Sequence, residues 1–154
     1  MKTLSSVLML ALAASLSLVS CTKEDGPSQR EKDEEIILNY IEENNLDATA
    51  TGSGLYVVIN EEGSGNKPTL LDEVTVFYKG YLTSGEVFDL TGVEPATFPL
   101  GSVIEGWQEG IPYFKPGGSG ILLIPSHLGY GSRGAGSIPP NSVLIFDIEL
   151  VRVN

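Results

Sequence analysis

The chain has 154 residues, 42 % of them hydrophobic, enough for one domain with a buried core plus appendages. Nine Lys and Arg stand against 20 Asp and Glu, a formal charge of −11, and such a surface repels phosphate backbones and anionic headgroups. Nucleic-acid binding and electrostatic membrane docking are thereby excluded. The one Cys excludes an intramolecular disulfide, and one His with no Cys cluster offers no metal-ligand spacing.

Lys2 precedes an apolar run from Val7 to Val19, too short to span a bilayer comfortably. The run ends Leu18-Val19-Ser20-Cys21, which resembles a bacterial lipobox, with Cys21 as the lipidated first residue after cleavage. The other reading is an ordinary signal peptide with a coincidental Cys. Residues 1–20 therefore form the expected lipoprotein signal peptide. They carry one Lys and no acid, so their removal makes the remainder one unit more negative. Several acyl chains on Cys21 would hold the protein to a membrane durably. Residues 21–30 read as a polar tether. Thr22 after the Cys resembles lipoproteins sent to the outer membrane, so a lipid-anchored place in the cell envelope is expected. Lys23-Glu24-Asp25 resembles a surface-export signal; a generic polar linker is the alternative.

Residues 31–50 are expected to hold an acidic helix. Ile36, Ile37, Tyr40 and Ile41 repeat at helical spacing, with the acids on the other face and concentrated at the N-terminal end. The helix serves a partner, or it packs on the domain or spaces it from a membrane. Its apolar stripe is too small for a coiled coil.

From residue 54 to 154 a separate domain is expected, and the periodicity moves toward two. Val74, Val76 and Tyr78 alternate with Thr75, Phe77 and Lys79. Leu144, Phe146, Ile148 and Leu150 alternate with Ile145, Asp147 and Glu149. Ile121-Leu122-Leu123-Ile124 suits a strand covered on both faces. Gly-, Pro- and Ser-rich turns separate these runs. Within FPLGSVIEGWQEG, 98–110, Ser102 and Glu105 form a capping-box pattern, Gly110 is a natural stop, and Val103, Ile104 and Trp107 share a face. The sum is an α+β fold: an antiparallel sheet of about five strands with one short helix on a face.

Few residues could carry chemistry. His127 has no Ser or Cys partner pattern and reads as a satisfied surface His. GYGSRGAG, 129–136, lacks the Lys-Ser/Thr of a phosphate loop and reads as a mobile loop. Asp89 directly follows Phe88, beside an expected apolar wall, and no pair of carboxylates stands out in an apolar setting. What remains is an aromatic set from five segments: Tyr78, Phe88, Trp107, Tyr130 and Phe146.

The order of motifs around that set is similar to the FKBP-type peptidyl-prolyl cis-trans isomerases, in a bacterial lipoprotein form. The matching pieces are Val76-Phe77-Tyr78-Lys79-Gly80, Gly85-Glu86-Val87-Phe88-Asp89, Phe98-Pro99-Leu100-Gly101 and Val103-Ile104-Glu105-Gly106-Trp107-Gln108-Glu109-Gly110. Ile124-Pro125-Ser126-His127-Leu128-Gly129-Tyr130-Gly131 and Ile138-Pro139-Pro140-Asn141 follow, running into Leu144-Ile145-Phe146-Asp147-Ile148-Glu149-Leu150. The resemblance implies a twisted antiparallel sheet wrapped around the short helix, with a proline pocket between them. It implies Trp107 as floor, with Tyr78, Phe88, Val103, Ile104 and Phe146 as walls. Tyr130 would stand at the rim, its hydroxyl available to a substrate carbonyl. Asp89 would polarise the site or bond Tyr78, and Ile138 would lie on the loop above. Proline-containing polypeptides, and macrolide inhibitors, are the implied ligands; no cofactor and no metal are implied. The chain departs from the family at Leu90 (usually Ser or Thr), at Ala96 (an aromatic in some members), and in a 131–138 loop one residue short. Two other readings of the same residues stand: an anchored proline-binding or chaperone module with little turnover, and a structural lipoprotein whose aromatics are only core.

Overall fold

A computed structural model describes residues 26–154; the expected signal peptide, Cys21 and residues 22–25 lie outside the described residues. Helix α1 spans Gln29–Glu43, so the last expected tether residues are already helical. Ser28 begins it. Its hydroxyl accepts from the Glu31 amide at 3.4 Å, and the Glu31 carboxylate accepts from the Ser28 amide at 2.6 Å. This reciprocal pair satisfies two amides that a helix start leaves free. The backbone bond from Ser28, then its hydroxyl, hold the Glu31 carboxyl below its ordinary range.

The strands are β1 (Ala48–Ala50), β2 (Tyr56–Glu61), β3 (Glu73–Leu82), β4 (Val87–Leu90), β5 (Ala96–Pro99), β6 (Gly118–Ile124) and β7 (Leu144–Val153), with α2 (Glu105–Gly110) between β5 and β6. All pairings are antiparallel, in the order β1-β2-β6-β7-β3-β4. β5 shares an edge of β3 with β4: Glu73–Val76 pair with β5, and Lys79–Tyr81 with β4. The sheet thus has seven strands where about five are expected. The short β1, β4 and β5 carry little periodicity of their own and exist by pairing with longer neighbours. Residues 48–50, expected within the helical segment, are β1.

The two faces of the sheet bury different partners. Val74, Val76, Leu144, Phe146, Ile148 and Leu150 face Trp107 and Ile111 on the α2 side. On the opposite face Ile37, Tyr40 and Ile41 of α1 pack with Val58, Leu123 and Val143. So α1 packs on the domain, which explains why Leu123 and Ile145 are as buried as their alternating neighbours. One acid departs from the expected solvent face of α1: Asp33 is fully buried.

The entry to α2 also differs from expectation. Leu100–Ser102 form a 3-10 turn, Val103 is extended, and Ile104 is the N-cap with no side-chain bond. Ser102 lies inside that turn, too early to cap, so the Ser102–Glu105 box does not form. Gly110 is not a left-handed stop. Its φ is −82°, and the chain continues into a 3-10 turn at Ile111–Tyr113. Gly106 and Gly110 serve close approach instead. A Cβ at Gly110 would stand 2.7 Å from Leu122 Cδ2, and one at Gly106 would overlap the Ile124 side chain. Spaced i, i+4, both face β6 and let the helix settle onto it.

Candidate active site

Settled at that depth, α2 carries the indole of Trp107 into a ring of aromatic edges. Tyr78 from β3 meets it at 5.2 Å and 84°, Phe98 from β5 at 5.8 Å and 86°, and Phe146 from β7 at 5.3 Å and 80°. Phe88 from β4 stands edge-on to Phe146 at 5.5 Å. Edge-to-face packing is the arrangement aromatic quadrupoles favour, and each pair adds roughly 0.5–1.5 kcal/mol beyond burial. Trp107 is only 4 % exposed, yet it borders an open cavity of about 570 Å³ rather than being sealed over.

That cavity brings together every residue expected at the site: Tyr78, Phe88, Asp89, Trp107, Tyr130 and Phe146, with Val103, Ile104 and Ile138. Val103 and Ile104 reach it from the segment before α2 rather than from a helical face. The Tyr78 hydroxyl donates to Asp89 Oδ2 at 2.7 Å. Burial first, and this bond second, push the Tyr78 phenol well above its ordinary range, so it stays a neutral donor. Tyr130 stands at the rim, 40 % exposed.

The 129–136 segment is more ordered in its bonding than a mobile loop implies. Gly131–Arg133 form a 3-10 turn, and Ala135 and Ile138 exchange amide bonds at 3.0 and 2.8 Å around Gly136-Ser137. The Asn141 amide donates to the Gly131 carbonyl at 2.8 Å. These bonds fold Ile138 over the cavity. His127 differs from a satisfied surface His: it is half-buried, its Nε2 meets the Ser53 carbonyl at 3.1 Å, and Nδ1 has no partner among the described residues. It does not line the aromatic cavity.

Phe98, given above a place in a motif but no place in the site, lines the cavity and contacts both Trp107 and Tyr78. The alternation Ala96, Phe98 along a strand was the available signal. Ala96 pairs with Val76 on β3, outside the cavity lining, and Leu90 ends β4 58 % exposed. No group of three or more His, Cys, Asp or Glu among the described residues is placed to hold a metal ion.

A short helix pressed into an antiparallel sheet, with an open aromatic cleft beside its Trp, defines an α+β protein built to bind a small apolar group. The chain belongs to the FKBP-type peptidyl-prolyl cis-trans isomerase family, whose model matches residues 64–151. It is 42 % identical over 134 residues to the probable FKBP-type isomerase FkpA of Neisseria meningitidis, covering 85 % of this chain and 48 % of that protein. It is 48 % identical over 104 residues to the isomerase Mip of Coxiella burnetii, covering 66 % and 45 %. The chain thus spans about half the length of the curated relatives it matches. The crystal structure of FkpA from Escherichia coli superposes with a TM-score of 0.72 at 37 % identity, covering 82 % of this chain and 63 % of that one. An isomerase from Pseudomonas syringae pv. tomato gives 0.70 at 32 % identity, covering 84 % and 98 %.

Proposed function

We propose that the protein is a peptidyl-prolyl cis-trans isomerase acting on exported polypeptides. The observation that carries this is the cavity beside Trp107, walled by Tyr78, Phe88 and Phe146 and rimmed by Tyr130. Rotation about a peptide bond breaks amide resonance and costs roughly 18–20 kcal/mol. For X–Pro the two planar forms lie close in energy yet exchange over tens of seconds or more. The twisted state has lost charge separation between O and N, so it is less polar than either planar form. A dry aromatic cleft favours it relative to water, with no nucleophile and no proton transfer. An acceleration of five to six decades needs only about 7–8 kcal/mol at about 1.36 per decade.

The residues divide the work. Trp107 and Phe146 receive the prolyl ring, and Val103, Ile104 and Ile138 exclude water around it. The Tyr130 hydroxyl holds a neighbouring carbonyl. Tyr78, bonded to Asp89, keeps its ring edge against the indole, so Asp89 positions rather than reacts. Macrolides that mimic a twisted prolyl amide compete for the same space. Anchoring through a lipid on Cys21, most simply at the outer membrane, belongs to the same proposal. Its support is the apolar run ending Leu18-Val19-Ser20-Cys21, and a mass spectrum of membrane-extracted protein tests it.

The test of the activity is a protease-coupled assay on a prolyl tetrapeptide, with wild type and Phe146→Ala. Wild type accelerates the exchange, and the variant loses most of the rate while remaining folded by near-ultraviolet circular dichroism. Peptide binding without acceleration by wild type would make the protein a binding or chaperone module. A folded Phe146→Ala with full rate refutes the pocket assignment.

A further inference from the structure

We propose that Asp33, on α1 and outside the matched domain, is a positioning residue for the rim tyrosine Tyr130, an inference that rests on the isomerase reading above. Its carboxylate is fully buried. Oδ2 accepts from the Ser126 amide at 2.8 Å and from the Ser126 hydroxyl at 2.6 Å, and Oδ1 accepts from the Gln29 side-chain amide at 2.7 Å. It takes part in no ion pair among the described residues. A buried carboxylate served only by neutral donors is costly to keep unless those bonds are well made. Two of these three bonds, both on Oδ2, come from one residue, Ser126, the first of a 3-10 turn at Ser126–Leu128.

That turn leads directly to the cavity. The Leu128 amide bonds the Pro125 carbonyl and the Gly129 amide bonds the Ser126 carbonyl, both at 3.0 Å, and Tyr130 is the next residue. Gly129 is pressed on β7, where a Cβ would stand 2.9 Å from Leu144 Cδ1. Beyond Tyr130, the Asn141 amide fixes the Gly131 carbonyl. The tyrosine therefore hangs between two clamps, and Asp33 is one of them. The β1–β2 connection reinforces the same side: the Ser53 carbonyl accepts from His127 Nε2 at 3.1 Å, and the Ser53 hydroxyl donates to Glu109 of α2 at 2.7 Å. The preceding helix thus holds the segment that carries Tyr130 without lining the cavity itself.

The test is a double-mutant cycle in the full chain. Asp33→Asn removes the charge and leaves a single acceptor oxygen where Ser126 and Gln29 each used one, and kcat/KM on a prolyl peptide is expected to fall about ten-fold, as for a displaced contact group. Tyr130→Phe removes the hydroxyl. If Asp33 acts through Tyr130, Asp33→Asn adds less than about two-fold in the Tyr130→Phe background. A purely structural role would multiply the two losses in full, and that result overturns the proposal. Ser126→Ala is the milder companion, keeping the amide bond and losing only the hydroxyl; it is expected to show the same non-additivity at smaller size. Amide hydrogen exchange gives a readout independent of turnover. In both variants, exchange at 126–131 is expected to quicken while β3 and β7 stay protected. Uniform quickening, or an unchanged 126–131 segment, overturns the proposal. Absence of turnover in wild type would sink the isomerase reading instead, and the exchange pattern would still decide whether Asp33 holds the Tyr130 segment.

Discussion

Gly80→Ala adds one methyl group to the wall of the cleft. Gly80 lies on β3, opposite Phe146 of β7 and Asp89 of β4. A Cβ there would stand 2.5 Å from Phe88 Cε2 and 2.7 Å from Phe146 Cε1. Ordinary contact is about 3.5–4.0 Å, so ring edges must retreat by about 1 Å. Phe146 is 5 % exposed and held edge-on by Trp107 and Phe88, so it has little room to yield. Overpacking of this kind costs about 1–3 kcal/mol. The backbone gains back about 0.5–1 kcal/mol on replacing a strand glycine by alanine. The net loss of about 0–2.5 kcal/mol leaves a domain of ordinary stability, about 5–15 kcal/mol, folded. The rate is hit harder, because a 1 Å misplacement in a positioning site costs about a hundred-fold. The assay is kcat/KM on a prolyl tetrapeptide, with near-ultraviolet circular dichroism as the check on folding. Phe88→Leu added to Gly80→Ala removes the nearest ring atom and recovers part of the loss. A folded Gly80→Ala protein with wild-type kcat/KM refutes the link between these rings and turnover.

Further expectations concern caps and protons. Ser28→Ala should cost about 0.5–2 kcal/mol, seen as a lower urea midpoint, because Ser28 caps α1. Ser102→Ala should change stability by less than about 0.5 kcal/mol, because Ser102 caps nothing; equal losses would contradict both assignments. Turnover should stay level from about pH 6 to about pH 9, since no step moves a proton and the Tyr78 phenol stays protonated; a bell-shaped profile would contradict this. On the far face, burial first, then the neighbouring Tyr40 hydroxyl and the Asp147 carboxylate that accepts from Tyr81 at 3.0 Å, raise the Tyr81 phenol well above its ordinary range. A raised phenol means the folded state binds more protons than the unfolded one. Its stabilisation is complete below about pH 10 and fades as pH rises beyond that. Tyr81→Phe should flatten this alkaline decline in denaturant titrations, and an unchanged decline would assign it elsewhere.

The long strands and the aromatic set were legible because their patterns are set by burial on one face. β3 and β7 form where the alternation is read, although Thr75 and Ile145 on the other face are buried too, and residues from five segments meet at one cavity. The capping box was illegible for a geometric reason. Ser-x-x-Glu matches at 102–105, but the backbone is still in a 3-10 turn and an extended residue when it passes Ser102. The same pattern at Ser28–Glu31 does form a box, because regular helix starts at the next residue. Sequence shows the pattern; only the backbone path decides which instance is used. Asp33 was hidden among its acidic neighbours, although it shares a face with Ile37 at i, i+4. What buries it is Ser126, 93 residues away, and that pairing has no local signature.

The depth of α2 is the quantity on which the cleft turns. A helix of six residues has little stability of its own, so its position is dictated by what it rests on. Two bare faces at Gly106 and Gly110 let it descend onto Leu122 and Ile124 of β6. Only at that depth does the indole reach the edges of Tyr78, Phe98 and Phe146, which come from three other strands. Phe146 and its neighbour Phe88 are themselves admitted by a missing side chain, at Gly80. Absent side chains thus set the distances in the site as firmly as the aromatic ones that fill it. A methyl group at any of these glycines acts on the floor or wall of the cleft without altering a single ring, which is why their substitution tests the mechanism apart from the chemistry of the aromatics.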